Sequence, residues 1–362
     1  MFGRMNQTKE EKQIIKTKNK SRVKRQRSRL ISSFIASLSF FSNQIVYATS
    51  FHQQNKMTKV VVVGGTHGNE YTGVWCIKSI QKQQKVDKSH PSESSLLKKY
   101  PSLTISTILA NPQAYMENKR FIDTDLNREF SKEKLSNFTM NPNTEQRRAK
   151  EINSILGPKF DEHAHTDVIV DLHSTTTNMG ITIIIPEGDA VMAQAAAYVL
   201  AKCNENPSKE VVCRCIMHSI LDRMKRPNVS SIGKHGFTIE VGPVPQGVLR
   251  HDAVEHTQKA LHYLLEFLQL RNENLKKMQN TLEMYYPNNK VPCFLSAPAK
   301  KEGEMSGKII WPCDEDNPNF PSLMVHEQIQ DRDFQKIRKG DPLFVKWDGS
   351  TVHYDGSHGV RV

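Results

Sequence analysis

The chain has 362 residues and a formal net charge of +12, with 37% hydrophobic and 24% charged residues. It is long enough for two ordinary domains and too apolar to be disordered throughout. No run of about 18 apolar residues occurs, which excludes a membrane-spanning helix. The charge is local. Residues 1–57 hold 12 Lys and Arg against two Glu, whereas the remaining 305 hold 38 basic and 36 acidic residues. Nucleic-acid binding by the nearly neutral remainder is therefore not expected.

Residues 1–57 form the first of three expected parts. Up to Arg29 the composition cannot bury a core. Leu30 to Tyr47 is moderately apolar but carries five serines. A basic region, an apolar region and then Ala48-Thr49-Ser50 fit a peptide for organelle or secretory targeting. Met57-Thr58-Lys59 ahead of a β-branched run fits a natural start equally well, with the tail as an upstream extension of the gene. The body itself is expected in the cytoplasm.

The second part spans 58–277. Val60–Val63, Leu103–Leu109, Val168–Leu172, Ile181–Ile185 and Phe237–Val241 are apolar, β-rich runs, as in buried parallel strands. Cys213-Arg214-Cys215 alternates like a strand, with its two thiols on one face, half-buried. Thr144–Leu156 places Ala149, Ile152, Ile155 and Leu156 on one helical face, and Gly157 stops it. Asp189 is expected to cap an Ala-rich helix through Leu200, and Asp252 a long helix carrying Leu261, Leu264, Leu265 and Leu268. The alternation predicts an α/β fold with helices on both faces of a sheet. The third part, 278–362, is rich in Pro and Gly, with short β runs at Lys308–Trp311 and Leu343–Trp347. Asp348-Gly349 is a hairpin turn signal. A small β-rich domain is expected. The six cysteines are too scattered for a disulfide framework.

Chemistry concentrates at the strand ends. The first strand ends in Gly64-Gly65-Thr66-His67-Gly68-Asn69-Glu70, where open α/β sheets place their sites. His67 and Glu70, three apart, put an imidazole and a carboxylate on one side of a turn. His173 closes the Val168–Leu172 strand, with Asp171 available to orient a ligand. Three protein ligands with one open position suit catalytic zinc. Glu240 interrupts an apolar strand before Gly242-Pro243, where a carboxylate needs a task or a partner: it is either a general base beside a zinc-bound water or a strand-edge glutamate facing solvent. Arg120, Asn127 and Arg128 bracket Asp123 and Asp125. They either grip an anionic substrate or form surface salt bridges.

In Gly64–Glu70, Asp125–Arg128, Asp171–Gly180 and Ile239–Leu249, with Pro245-Gln246-Gly247, the chain resembles the aspartoacylase/succinylglutamate desuccinylase family, relatives of zinc carboxypeptidases. The resemblance runs from about Thr58 to Val362. It implies a zinc-carboxypeptidase-like mixed sheet flanked by helices, with a small β-rich C-terminal domain. It implies one Zn2+ per subunit on His67, Glu70 and His173, Glu240 as general base, and Arg120 polarising the scissile carbonyl. Asn127 and Arg128 would bind the α-carboxylate of a small-molecule N-acyl amino acid, and the amide would be hydrolysed. A homodimer is left open. In the aspartate-selective members an arginine stands about ten residues before the base. Here that place falls near Ser230, with Arg223, Lys225 and Arg226 upstream and Arg226 as the substitute. The family also continues past the place of Val362 through a segment with a substrate-contacting tyrosine. The resemblance thus implies a weaker aspartate preference, and as an alternative a non-catalytic or weakly active zinc-binding homologue.

Overall fold

The computed structural model describes residues 57–89, 96–137, 140–161, 165–205, 211–219, 222–295, 313–314, 317 and 320–356. The expected tail up to Lys56 and the Lys308–Trp311 run lie outside them. Strand β1 (Thr58–Gly64) is buried on both faces, as its four consecutive valines require. It is followed by helix α1 (Tyr71–Ser89), β2 (Leu103–Leu109), α2 (Thr144–Leu156), β3 (Val168–Ser174) and β4 (Gly180–Pro186). Then come α3 (Ala190–Asn204), β5 (Cys213–His218), β6 (His235–Gly242), α4 (His251–Glu273), α5 (Leu275–Tyr285) and β7 (Phe294–Leu295). The seven strands form one sheet in the order β2-β1-β3-β6-β4-β5-β7. Every neighbouring pair is parallel except β4 and β6, which are antiparallel. The fold is therefore a mixed sheet flanked by helices, as expected.

Alternation along the strands divides the interior in two. On one face Val60, Val62, Val170, Leu172, Ile183 and Ile239 pack against α1, α3, α4 and α5. On the other, Val61, Val63 and Ile169 pack against Ala149, Ile152 and Leu156 of α2. Helix α2 matches its predicted span, and the Asn143 side chain caps it in a reciprocal box with Gln146. Asp189 caps α3 by accepting from Met192 N. The Asp252 cap is a correction: α4 starts at His251, its N-cap position is Arg250, and Asp252 sits in the first turn and pairs with the Arg250 guanidinium. Cys213 and Cys215 share a face of β5, fully buried rather than half-buried.

Packing on the α/β core continues past Lys277. Met278 and Leu282 of α5 enter the first core, and β7 extends the main sheet. A separate antiparallel sheet then joins β8 (Met324–Val325), β9 (Pro342–Val345) and β10 (Thr351–His353) in the order β10-β9-β8. Leu343, Phe344 and Tyr354 form its own small core. The Asp348-Gly349 turn is present, with Gly349 at φ +79 and Ser350 N donating to Asp348 Oδ1. No helix among the described residues is long and apolar enough to cross a membrane.

Candidate metal centre and active site

Two glycines set the depth of the site. A Cβ on Gly64 would lie 2.5 Å from Gly73 O, and one on Gly73 would lie 2.6 Å from Leu172 O. The first turn of α1 therefore rests directly on the backbones of β1 and β3. The β1–α1 turn carries His67 and Glu70, and this contact brings them against the end of β3, where His173 sits.

All three side chains are buried, and their ligand-type atoms lie within 4.8 Å of one another. Glu70 is at the centre. Its Oε1 is 2.5 Å from His67 Nδ1, and its Oε2 is 2.9 Å from His173 Nδ1. Oε2 also accepts Ser174 N at 3.1 Å. The far nitrogens of both imidazoles meet a second carboxylate. His173 Nε2 is 2.6 Å from Asp171 Oδ2, and His67 Nε2 is 3.2 Å from Asp125 Oδ1. Asp171 is itself fixed by Thr66 Oγ1 at 2.7 Å. Both Nδ1 atoms thus face Glu70, while Nε2 is held from behind, the arrangement that orients imidazole ligands on a metal. Two imidazoles and one carboxylate, buried and held in this way, fit zinc, whereas calcium and magnesium favour all-oxygen sets.

The charges agree with this geometry. Burial pushes Glu70 up, but the charges and hydrogen bonds of His173 and His67 outweigh it and hold the carboxyl well below the usual range. Burial likewise opposes ionisation of Asp125, and His67, Arg128 and Arg120 prevail. His173 is driven well above its usual value: burial pulls it down, and Asp171 and Glu70 override that. The carboxylates thus favour positive charge on or between the two imidazoles.

Glu240 stands beside the cluster. In the β3–β6 ladder it is the direct partner of His173. Burial raises its pKa, as do Glu70 and Asp171, while His173 and His67 pull it down, for a net rise. Arg120 also reaches the cluster, with Nη1 3.2 Å from Glu70 Oε1 and Nη2 3.5 Å from Asp125 Oδ2. Its loop is held by a buried carboxylate on α2: Glu145 accepts the backbone N–H groups of Ile122, Asp123 and Thr124 at 2.7, 3.0 and 3.1 Å.

Asn127 lies at the edge of the cluster. Its Nδ2 donates to Asp171 Oδ2 at 3.4 Å, and its Oδ1 accepts Val229 N at 2.9 Å. Arg128 is exposed, with Nη1 on Asn127 O at 3.0 Å. Arg226 is half-buried. Burial, and then the charges of Arg128 and Arg226, lower the His218 imidazole, so all three gather near the end of β5. Arg223 is committed to backbone, donating to the carbonyls of Ile232, Gly233 and Lys159. Ser230 is buried and accepts Asn228 Nδ2 at 2.7 Å. A cavity of about 250 Å³ between Gly180, Arg214, Pro243, Asp252 and Asp331 contains none of the cluster residues. The ligand-type side chains and Glu240 converge at the cluster instead.

Residues 56–268 match the model of the succinylglutamate desuccinylase/aspartoacylase catalytic domain, and residues 304–362 that of the AstE/AspA barrel-sandwich hybrid domain. The chain belongs to the succinylglutamate desuccinylase/aspartoacylase family. It is 34% identical over 307 residues to a probable aspartoacylase of Nostoc sp., covering 84% of this chain and 90% of that protein. It is 33% identical over 312 residues to N-acyl-aromatic-L-amino acid amidohydrolase (carboxylate-forming) A of Danio rerio, covering 83% and 84%. The crystal structure of murine aminoacylase 3 matches with a TM-score of 0.66 at 28% identity, over 84% of this chain and 88% of that one.

Sequence reasoning missed three supports of this family member's site. In the sequence Asp125 figured only in the salt-bridge alternative; in the structure it meets Arg120 and also backs His67. The other two are the Ser174 backbone N–H on Glu70 and the Glu145 cradle under the Arg120 loop. The run Asp123-Thr124-Asp125 offered two carboxylates, and nothing in its spacing distinguishes the one that faces inward.

Proposed function

We propose that this chain is a zinc-dependent amidohydrolase that cleaves N-acyl amino acids into a carboxylic acid and a free amino acid. The observation that carries the reading is the buried His67–Glu70–His173 cluster in ladder register with Glu240 and in contact with Arg120. The names of both relatives and the murine match point the same way.

His67, Glu70 and His173 would hold the ion. When bound, zinc supplies Lewis acidity, acidifying water and polarising a carbonyl. Glu240 accepts the proton of the attacking water as general base. Its raised pKa brings it closer to working pH, where an acid–base group is most effective. Arg120 keeps its guanidinium beside Glu70 and directs its remaining N–H groups at the carbonyl oxygen as charge develops there. Asn127 and Arg128 hold the α-carboxylate, which fixes the amide over Glu240. As the C–N bond breaks, the Glu240 proton passes to the leaving nitrogen. The water hydroxyl remains on the acyl carbon, and the sum is one amide and one water to one acid and one amine.

The side-chain pocket favours no strict aspartate selection. Ser230 supplies no cation. Directly paired strand residues share a face. Thr238 pairs with Ile184, and Ile184 with Ile216, so both isoleucines lie on the Glu240 face. Each is half-buried, and neither belongs to the large cores. This surface suits apolar side chains, and Arg226 is the cation that the sequence offers in place of Ser230.

The test is hydrolysis of N-acetylaspartate, N-acetyl-leucine and N-acetyl-tyrosine by the full chain. Activity is compared before chelation, after it, and after zinc is restored. Loss on chelation with recovery on zinc is expected. No hydrolysis of any of the three with zinc present, or undiminished hydrolysis without metal, overturns the proposal.

A further inference from the structure

Lys159 is fully buried, yet none of the described carboxylates hydrogen bonds to it. Its Nζ donates to Phe130 O at 2.6 Å, Arg226 O at 2.6 Å and Ser231 Oγ at 2.8 Å. Three ammonium protons meet three acceptors. Ser231 is free to accept because its own hydroxyl proton goes to Asn228 O at 2.6 Å. Burial, and then the charges of Arg223 and Arg226, push the lysine down to about 7, with Asp222 opposing. An uncompensated buried cation is expensive and needs a reason.

Its acceptors supply one. Phe130 O lies two residues past Arg128. Arg226 and Ser231 bracket the loop whose Val229 N donates to Asn127 Oδ1. The two loops are also zipped together directly, by Phe130 N to Pro227 O at 3.0 Å and Lys132 N to Met224 O at 2.9 Å. Lys159 sits beneath both and ties them at one point. Arg223 then ties Lys159 O back to the second loop at 2.7 Å. The metal ligands take no part in this knot.

We propose that Lys159 is a positioning residue for the substrate carboxylate: its ammonium clasps the Asn127–Arg128 and Arg226 loops at the spacing that lets Asn127 and Arg128 hold that group. The inference rests on the proposed role of Asn127 and Arg128. Lys159 itself touches neither substrate nor metal. A clasp acts on binding, so its removal should raise KM far more than it lowers kcat. It should also weaken discrimination between an N-acyl amino acid and its α-carboxamide, which a general loss of folded protein would leave unchanged.

The experiment uses the full-length zinc-loaded chain and its best substrate among N-acetylaspartate, N-acetyl-leucine and N-acetyl-tyrosine, with the matching α-carboxamide. Lys159→Met should raise KM for the acid by about tenfold or more with kcat within about threefold. The ratio of kcat/KM between acid and carboxamide should fall in step, with one zinc per chain retained. Equal losses on acid and carboxamide, or a loss confined to kcat, overturn the inference. Should Lys159→Met fail to fold, Ser231→Ala removes one acceptor and is read in the same assay. A KM rise on the acid alone of about two- to fivefold supports the clasp, and an unchanged ratio overturns it. A wild-type enzyme that treats acid and carboxamide alike overturns the Asn127–Arg128 reading and this inference with it. A wild-type preference that survives both variants overturns the inference alone.

Discussion

The two faces of the central sheet differ in what their residues do, although the same strands supply both. Along β3, Val168, Val170 and Leu172 point into the core under α1, α3, α4 and α5. Ile169, Asp171 and His173 point the other way. Ile169 joins the smaller core under α2, while Asp171 and His173 enter the polar cluster. In β6, Phe237, Ile239 and Val241 face the first core, and Glu240 the second side. A period of two thus separates stability from chemistry at the resolution of one residue. A change on one face should move one property and leave the other.

His173→Ala tests the chemical face most severely. Only two protein ligands would remain, and retention of zinc after dialysis should drop from one per chain to near zero, read by elemental analysis. Full occupancy in that variant would remove His173 from the ligand set. Next comes Glu240→Gln, which keeps shape and removes the proton acceptor. We expect kcat to fall by about 10²–10⁴ with zinc still bound, the usual worth of acid–base catalysis. Near-normal turnover would contradict the assignment.

On the opposite face, Phe237→Ala should lower unfolding free energy by about 3–5 kcal/mol in a denaturant titration. Its zinc content and kcat, measured where the variant is folded, should match wild type. A metal loss there would show that the two faces are not separable. Asp125→Ala sharpens the comparison within the chemical face, since it removes the support behind His67, together with the Asp125 contacts to Arg120 Nη2 and Asn127 N, and leaves all three ligand side chains in place. Zinc affinity, measured by chelator competition, should weaken by about 10- to 100-fold, and an unchanged affinity would return Asp125 to the role of a surface ion-pair partner. The smallest effect concerns selectivity. The kcat/KM preference for N-acetylaspartate over N-acetyl-leucine should stay below about a thousandfold, or about 4 kcal/mol at 1.36 kcal/mol per tenfold. A larger preference requires a cation in the pocket, and Arg226→Ala should then abolish most of it.

Much of this was legible in the residues. The apolar runs located five strands of the main sheet to within two residues, because buried strands must be continuously apolar and their ends are marked by glycine or polar residues. His67 and Glu70 stood out as a pair three apart just past such a run, His173 because it ends one and Glu240 because it interrupts one. What could not be read depends on contacts between distant segments. The antiparallel insertion of β4 beside β6 leaves no mark on Gly180–Pro186 itself, which is as apolar as the all-parallel strand β1. Lys159 and Asp125 are charged residues in polar loops, and only the folded chain decides which of them turns inward. The Asp252 cap failed for a local reason: Arg250 two residues away offers its carboxylate a bidentate partner.

The contact between Gly64, Gly73 and Leu172 has a consequence for how this protein can vary. Neither glycine has a side chain to offer metal or substrate, and Gly73 lies inside a helix, where alanine is ordinarily the better residue. Yet a methyl group at 73 would meet Leu172 O at 2.6 Å, so the helix start would have to lift by about 1 Å to restore ordinary contact. Metal–ligand distances tolerate about 0.2 Å. The substitution that propensity recommends would separate Glu70 from His173 by several times that tolerance. Routine helix-stabilising substitution is therefore closed at position 73, and a survey of variants selected for activity should find glycine there while surface positions of α1 such as Lys82 and Lys85 accept many residues.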